Sequence, residues 1–537
     1  MIRNKEQAAL LDLMKRIVKF FDDNDIKYYL FAGSAIGGLR HGGFIPWDND
    51  IDIIMDHDNY YKMLSLSDSL PWDDIEMIGP ENSDLYYRPY VQFSNKRDTS
   101  FLRSGMYNVG ECMGTLIDVM CLDDIPSDKL ENYEKDFLIY QEILNDVFTY
   151  NKRIGQYRDD YYAAYDRKQE IGKRKLIEEL KEEVEKYAAE DCDECVVRFW
   201  GRRIRNYKKE WLDDVRYVPF EDMQLPIARK TEACLRLQYG YNWYMVPEAA
   251  EQETHNFVVN HELSNNNYFE DLSHFVDWKE ARAVMDGRKK SNIEFLNKSI
   301  PLSKTNNKIM IFRLIGKCGL KTKHDELIKL YEDGQYDEYI SRFDEIMGNL
   351  KSFENQKLSD FNVDKNLFCK LMAALVFRGR YYDAEKAARF IFGEKWADEA
   401  GQSEEMTFLR SVLDMVEAYQ DQEYDLLKER VEIIGEEIGK TIPDYVRAVF
   451  ALQQNGLVDK SEQELLQLCD GILEIMPENY DVMKVKGDLL AESGREAEAK
   501  AHHEKVYYNS RNGLDVLELD RRYSFADRYA IYNEKDL

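Results

Sequence analysis

The sequence predicts an α+β domain followed by an all-α array of helix pairs. Three observations carry this. Over the first half, short β-branched runs bounded by turn residues alternate with amphipathic helical patterns. From about residue 324 onward the chain reads as successive helix pairs. At 537 residues it is also too long for one ordinary core, so two or three domains are expected. The expected division is 1–265 for the α+β domain, with a helical insertion over 127–212. A basic connector follows over 266–323, and the repeats occupy 324–537.

Composition narrows the classes. With 44% hydrophobic and 33% charged residues the chain is globular rather than disordered. A formal charge of −29 argues against a nucleic-acid binder, which needs a basic footprint. Any site for an anionic substrate must then be made locally positive by a metal or a few Arg and Lys. Eight cysteines in this length show no framework spacing. Cys192 and Cys195 form a C-x-x-C in the acidic, helical-looking run AAEDCDECVV, and read as two ordinary thiols on a helix. The opening MIRNKEQAALLDLMKRIVKFF has charges interspersed among its apolar residues, unlike a signal peptide or an anchor. No uncharged apolar run approaches the ~20 residues that span a bilayer. A reducing, cytoplasmic location is expected, with peripheral association at the inner membrane face as an option.

Taken in order, residues 5–22 place Ala9, Leu10, Leu13, Ile17 and Phe20/Phe21 at helical spacing. Ile26–Phe31 is the first strand. Gly33-Ser34 then start a helix whose N–H groups could receive a phosphate, with Ser34 as a cap that also donates to a phosphate oxygen, or as a cap and nothing more. Gly-x-Ser-x-Gly fails here, because Ala32 and Ile36 flank Ser34, so a nucleophile elbow is excluded. Arg40, in the loop beyond, is suited to clamp a diphosphate in bidentate fashion. His41 is a candidate acid or base, or simply a hydrogen-bonded loop residue. Trp47 is a core plug or an aromatic wall for a base or a quaternary ammonium.

Asp48, Asp50 and Asp52 then alternate into a β-branched run, Ile51, Ile53 and Ile54. On a strand, residues two apart share a face, so Asp50 and Asp52 point the same way. Two such carboxylates repel unless one is protonated or a cation lies between them. Hard oxygen donors suit magnesium (or manganese), held by one or two carboxylates plus substrate phosphates. That is phosphoryl-transfer chemistry, where positioning and charge neutralisation dominate.

The string G-S-x-x-G-x-x-R-H-G-G-F-I-P-W-D-N-D-I-D-I, beginning at Gly33, resembles the signature of the LicD family within the nucleotidyltransferase-like superfamily. The resemblance implies a nucleotidyltransferase-like mixed sheet and transfer of a phosphocholine-type group. The donor would be CDP-linked, and the acceptor a cell-surface glycan or a lipopolysaccharide- or teichoic-acid-type precursor. The family often carries Asp where this chain has Asn49, on the face opposite the acid pair. GTLIDVMCLDDIP, residues 114–126, resembles the family's I-D-I-F-P-L-D element, with Met120-Cys121 replacing Phe-Pro. A carboxylate inside such an apolar run is costly to bury unless paired or metal-bound. Asp118 is therefore the third acid, expected to share the metal with Asp48, Asp50 and Asp52 and to act as base. Asp123 is expected to be structural.

Residues 57–70 read as helix, and 84–103 as paired strands with Lys96 and Arg97 in a basic turn suited to donor phosphates. In 220–247, Phe220-Glu221, Leu225-Pro226, a helix to Leu237 and Tyr239-Gly240…Pro247 again resemble the family. Tyr241, Trp243 and Tyr244 either stack on a ligand or pack against the domain. His255 lies near the domain's end, where the family has a similarly placed His. The resemblance spans roughly residues 10–260.

Between Arg288 and Lys323 there are ten Lys/Arg against one acid, Glu294. Such a segment binds an anionic membrane surface, or docks on the chain's own acidic domains. After Pro477, Tyr480, Gly487, Leu490, Gly494, Ala497 and Ala499 resemble a tetratricopeptide repeat of ~34 residues. Stacked pairs of this kind form surfaces for a protein or glycan-carrier partner, or serve as a scaffold. Three functions follow: the phospho-alcohol transferase, a nucleotidyltransferase delivering NMP from an NTP, and a catalytically silent helical adaptor.

Overall fold

The structure is a computed structural model that describes residues 2–82, 86, 88–102, 114–144, 157–187, 192–199, 204–252, 257–262, 264, 319–347, 364–393, 395–398 and 403–533. Two compact units emerge. One comprises Met1–Cys234, Pro247–Ser299 and Asp527–Leu537, the other Leu235–Val246 and Ile300–Ala526.

The first unit opens with α1 (Lys5–Asp23), capped by Asn4, whose side chain accepts from the Gln7 N–H at 2.8 Å. Leu10, Leu13, Met14, Ile17, Phe20 and Phe21 are all buried along it. There follow β1 (Tyr29–Leu30), α2 (Ala32–His41), β2 (Asp52–Asp56), α3 (His57–Leu64), β3 (Ile75–Ile78), β4 (Val91–Asn95), β5 (Thr99–Leu102) and β6 (Leu116–Asp124). The main sheet runs β1-β2-β6-β4-β3. Only β2 and β6 are parallel; the other pairs on this path are antiparallel. β6 is buried from Leu116 through Asp123, as a strand covered on both faces must be.

The insertion begins as expected, with α4 (Leu130–Leu144), α5 (Arg158–Ile171) and α6 (Lys173–Glu185) packed around Tyr133, Phe137, Tyr140, Leu176 and Val184. It does not stay helical. β7 (Glu194–Val197) pairs with the far end of β6, and β8 (Asn206–Lys208) pairs with β7. Cys195 therefore lies on a strand rather than a helix; Val196 and Val197 outweigh the acids before them. β4 and β5 also part company. β4 pairs with β3 and β6, whereas β5 pairs with β11 (Phe257–Asn260) in a separate ribbon. The 220–247 block starts as a hairpin, β9 (Val215–Phe220) with β10 (Met223–Ala228), before α7 (Thr231–Tyr239).

The second unit is helical: α8 (His324–Glu332), α9 (Tyr336–Met347), α10 (Lys365–Phe377), α11 (Tyr381–Phe392), α12 (Glu404–Gln420), α13 (Tyr424–Ile434), α14 (Glu436–Gly439), α15 (Tyr445–Gln454), α16 (Glu462–Ile475), α17 (Tyr480–Glu492), α18 (Glu496–Asn509) and α19 (Gly513–Tyr523). One turn recurs. A residue at positive φ (Gly334, Gly379, Gln422, Gly456, Gly494) is followed by an N–H that reaches back five residues to a helix carbonyl, from Gln335, Arg380, Glu423, Leu457 and Arg495. This shared closure marks the array as repeated units. Residues 265–318, which hold most of the basic segment, lie outside the described residues, as does His255. Among the described residues no helix is long and apolar enough to cross a membrane.

Candidate active site

The site is built where β2 and β6 run side by side. Asp52 stands in register with Asp118 on the neighbouring parallel strand, and the Asp118 N–H continues the pairing to the Ile51 carbonyl at 2.9 Å. Side chains opposed in this way project from the same face of a sheet. Both are buried, at 8% and 6% exposure. Asp50, just before β2, is close enough that its charge pushes up the Asp118 pKa, although burial contributes most to that rise. Asp52 and Asp118 thus stand side by side, with Asp50 near enough for Asp118 to sense its charge.

Asp118 does not wait for a ligand. It accepts from Arg88 Nη1 at 2.9 and 3.2 Å, from Tyr90 Oη at 3.0 Å and from Gln92 Nε2 at 2.5 Å. These bonds favour the ionised carboxylate and oppose the effects of burial and Asp50. Arg88, Tyr90 and Gln92 escaped the sequence reading as site residues. Their signal was present, since positions 88, 90 and 92 alternate into β4, and Gln92 faces Asp118 in register.

Ser34 is not a cap. α2 begins two residues earlier, at Ala32, with Phe31 in the cap position and no side-chain cap bond. Ser34 Oγ instead accepts the Asp52 N–H at 2.9 Å, tying the first turn of α2 to the start of β2. Gly33 allows the close approach of Asp48: a Cβ there would lie 3.0 Å from Asp48 Oδ2. Asp48 thus turns toward the start of α2, where a carboxylate is favoured. Its neighbour Asn49 donates to Glu6 at 2.9 Å, and Gln7 holds the Asp48 carbonyl at 2.9 Å.

The expected four-acid metal cluster needs correction. Among the described residues no group of three or more His, Cys, Asp or Glu is arranged to hold a metal ion. The reason is visible: Asp118 is engaged by Arg88, Tyr90 and Gln92, and Asp48 is turned to α2. Carboxylate oxygens such as those of Asp50 and Asp52 are the donors that magnesium takes, usually alongside substrate phosphates.

Arg40 is buried at 4% exposure and donates from Nε to His41 Nε2 at 3.0 Å. Burial, then Arg40 and Arg3, hold the His41 pKa well below its usual range, so the ring is neutral and accepts. Trp47 is buried and packs edge-on to His41 at 6.0 Å. A distant segment joins them. Tyr529 packs on His41 at 5.4 Å and Tyr532 on Trp47 at 5.7 Å, while Arg3 grips Asp527 and Asn533 at 2.7 and 2.8 Å. Nothing in the local sequence signalled that residues 527–533 would cover the signature loop. The Phe220-Glu221 block also meets the loop: Phe44 packs on Phe220 at 4.9 Å, and the Glu221 N–H donates to the Gly42 carbonyl at 2.8 Å.

Lys96 and Arg97 sit beyond the end of β4, four and five residues past Gln92, or ~13–17 Å along an extended chain. They pair there with acids, Lys96 with Glu76 at 3.6 Å and Arg97 with Asp74. Asp123 meets its structural expectation: buried, it is bound by Arg198 Nη2 at 2.7 Å and Tyr133 at 2.9 Å.

Fold and site together define a class: a mixed-sheet α+β domain that gathers carboxylates beside a Gly-Ser helix start. Residues 25–100 match the family described as LicD/FKTN/FKRP, nucleotidyltransferase domain. Over these residues the chain is similar to the LicD family. It is 36% identical over 62 residues to the lipopolysaccharide cholinephosphotransferase LicD of Haemophilus influenzae, covering 12% of this chain and 23% of that protein. An uncharacterized protein of Rickettsia prowazekii, RP689, is 38% identical over 58 residues, covering 11% and 22%. The match thus spans less than a quarter of these curated relatives. No solved structure matches the chain.

Proposed function

We propose that the first unit transfers phosphocholine, or a related phospho-alcohol, from a CDP-linked donor to a hydroxyl of a cell-surface glycan or of a lipopolysaccharide- or teichoic-acid-type precursor. The observation that carries this reading is the in-register meeting of Asp52 with Asp118, with Asp50 beside them. The similarity to a cholinephosphotransferase supports the choice of cargo.

Asp50 and Asp52 would hold magnesium or manganese, which when bound supplies charge neutralisation for the donor phosphates. Asp118 accepts the proton of the acceptor hydroxyl as its oxygen bonds to the phosphorus of the phospho-alcohol. The bond from that phosphorus to the bridging oxygen breaks, and CMP leaves. Burial and the Asp50 charge raise the Asp118 pKa, which makes it a stronger base than a solvated carboxylate. Tyr90 and Gln92 fix its orientation, and Arg88 balances its charge while it is ionised. Gly33 and Ser34 set the floor of the site, with Arg40 behind the signature loop.

A screen of CDP- and UDP-linked donors with magnesium, reading out nucleoside monophosphate, tests this. CMP release that disappears in Asp52→Asn supports the transferase. Pyrophosphate from an NTP would instead establish a nucleotidyltransferase, and neither product would leave the adaptor reading.

A further inference from the structure

Within the second unit, the end of α7 and the turns that follow it lie against the helix array. Leu235–Val246 belongs to this unit by its contacts, although it comes from far upstream in the sequence. Arg236 donates to Asp421 at 2.8 and 3.1 Å and to Gln420 at 3.1 Å, all at the end of α12. The paired Arg236 and Asp421 side chains are each only 9% exposed. Gln420 in turn donates to the Tyr241 carbonyl at 2.9 Å. Asn242 reads the turn between α10 and α11 with both ends of its amide, donating to the Gly379 carbonyl at 2.8 Å and accepting the Tyr382 N–H at 3.2 Å. Gly240 has φ +81°, and a Cβ there would lie 2.2 Å from the Tyr382 ring, so no other residue fits.

The stretch ends in an isolated β-bridge to the loop between α18 and α19. The Gly513 N–H donates to the Tyr244 carbonyl at 3.0 Å, the Val246 N–H donates to the Arg511 carbonyl at 2.6 Å, and Met245 bridges Asn512. Tyr241, Trp243, Tyr244 and Val246 are all buried. The contacts therefore touch the α10/α11 turn, the end of α12 and the α18/α19 loop. Backbone and side-chain bonds hold the segment, and its aromatic side chains are buried. Repeat arrays offer surfaces of this kind to peptides of partner proteins.

We propose that the helix-pair array is a peptide receptor whose ligand is the chain's own Leu235–Val246, recognised as Arg-x-x-x-Gly-Tyr-Asn-Trp-Tyr-Met-Val. Acidic groups of the array, Asp421 and Glu417, meet the single cation of the segment. The glycine and asparagine fix its path. A tethered ligand acts at an effective concentration near the millimolar range, so a free peptide of micromolar affinity scarcely competes with it. A partner that uses this surface must displace the segment. The inference stands apart from the transferase reading, because no contact in it involves the carboxylate site.

The test is fluorescence anisotropy with a labelled synthetic peptide of residues 235–246 and the full chain. The wild type should show no saturable binding up to about 100 μM, while Gly240→Ala/Asn242→Asp, which expels the tethered copy, should bind with a Kd of order 1–50 μM. A peptide carrying Asn242→Asp should bind the same variant about tenfold more weakly, the equivalent of ~1.4 kcal/mol. Equal binding by wild type and variant overturns the proposal, as does no binding by a variant that keeps its helical content and cooperative melting. Should the variant not fold, hydrogen exchange on the wild type decides. Amides of Tyr382, Val246 and Gly513 should be protected to the level of the α17 core. Free exchange at Val246 and Gly513 with α17 protected would refute the idea.

Discussion

Asp118 and Asp123 lie five residues apart on one strand, point to opposite faces of it and are both buried against an arginine. Their surroundings differ in one respect. Asp123 meets Arg198 and Tyr133 in a sealed pocket, with exposures of 1% and 3% for the acid and the arginine. Asp118 meets Arg88, Tyr90 and Gln92 on one side and a second carboxylate, Asp50, on the other. A buried pair satisfied on all sides holds a fold together. A buried carboxylate kept next to another is electrostatically unfavourable, and that arrangement is expected where charge has work to do.

The contrast can be broken from either side. The largest effect is expected for Asp118→Asn, which should lower turnover by ~10²–10⁴, the range for a lost general base. Stability to urea should change less than turnover, because the lost repulsion from Asp50 offsets the lost pairing with Arg88. Arg198→Leu should instead act on stability. It leaves Asp123 buried and unpaired, costing about 3–5 kcal/mol in denaturant unfolding. Replacing Asp123 and Arg198 together by apolar residues of similar size should restore most of that loss.

A third acid extends the comparison to the repeats. Burial, and secondarily Asp481, push the Asp444 pKa up to about 7, with Tyr381 donating to it at 2.5 Å. A carboxyl whose folded pKa exceeds its unfolded value of ~3.9 adds stability that is complete below pH ~4. That stability is lost as pH rises toward 7. Melts of the full chain should therefore weaken over this window, by at most ~1.4 kcal/mol per pH unit from this group, and Asp444→Asn should flatten the slope. The smallest effect is expected for Ser34→Ala, which strips the Asp52 N–H of its acceptor and should cost ~1–3 kcal/mol.

The legible parts of this chain were those with local causes. α1 followed from its apolar spacing, and β6 from the apolar residues that bracket Asp118. The neighbouring placement of Asp52 and Asp118 agrees with alternation plus the expense of burying charge. What stayed hidden was decided by distant partners. Arg88 is an ordinary arginine until β4 pairs with β6 and brings it to Asp118. Cys195 joins a strand because β6 offers an edge. Ser34 loses its role as a cap because α2 starts at Ala32, which takes φ +46°, a conformation no propensity would assign to alanine. Tyr529 and Tyr532 reach the signature loop from the other end of the sequence.

The shared site of Asp50 and Asp118 is tested most directly by following the Asp118 side-chain carboxyl through a pH titration by ¹³C NMR, in wild type and in Asp50→Asn. Removing the neighbouring charge should move the Asp118 titration to lower pH. An unchanged titration would mean that the two acids do not sense each other and do not form one site.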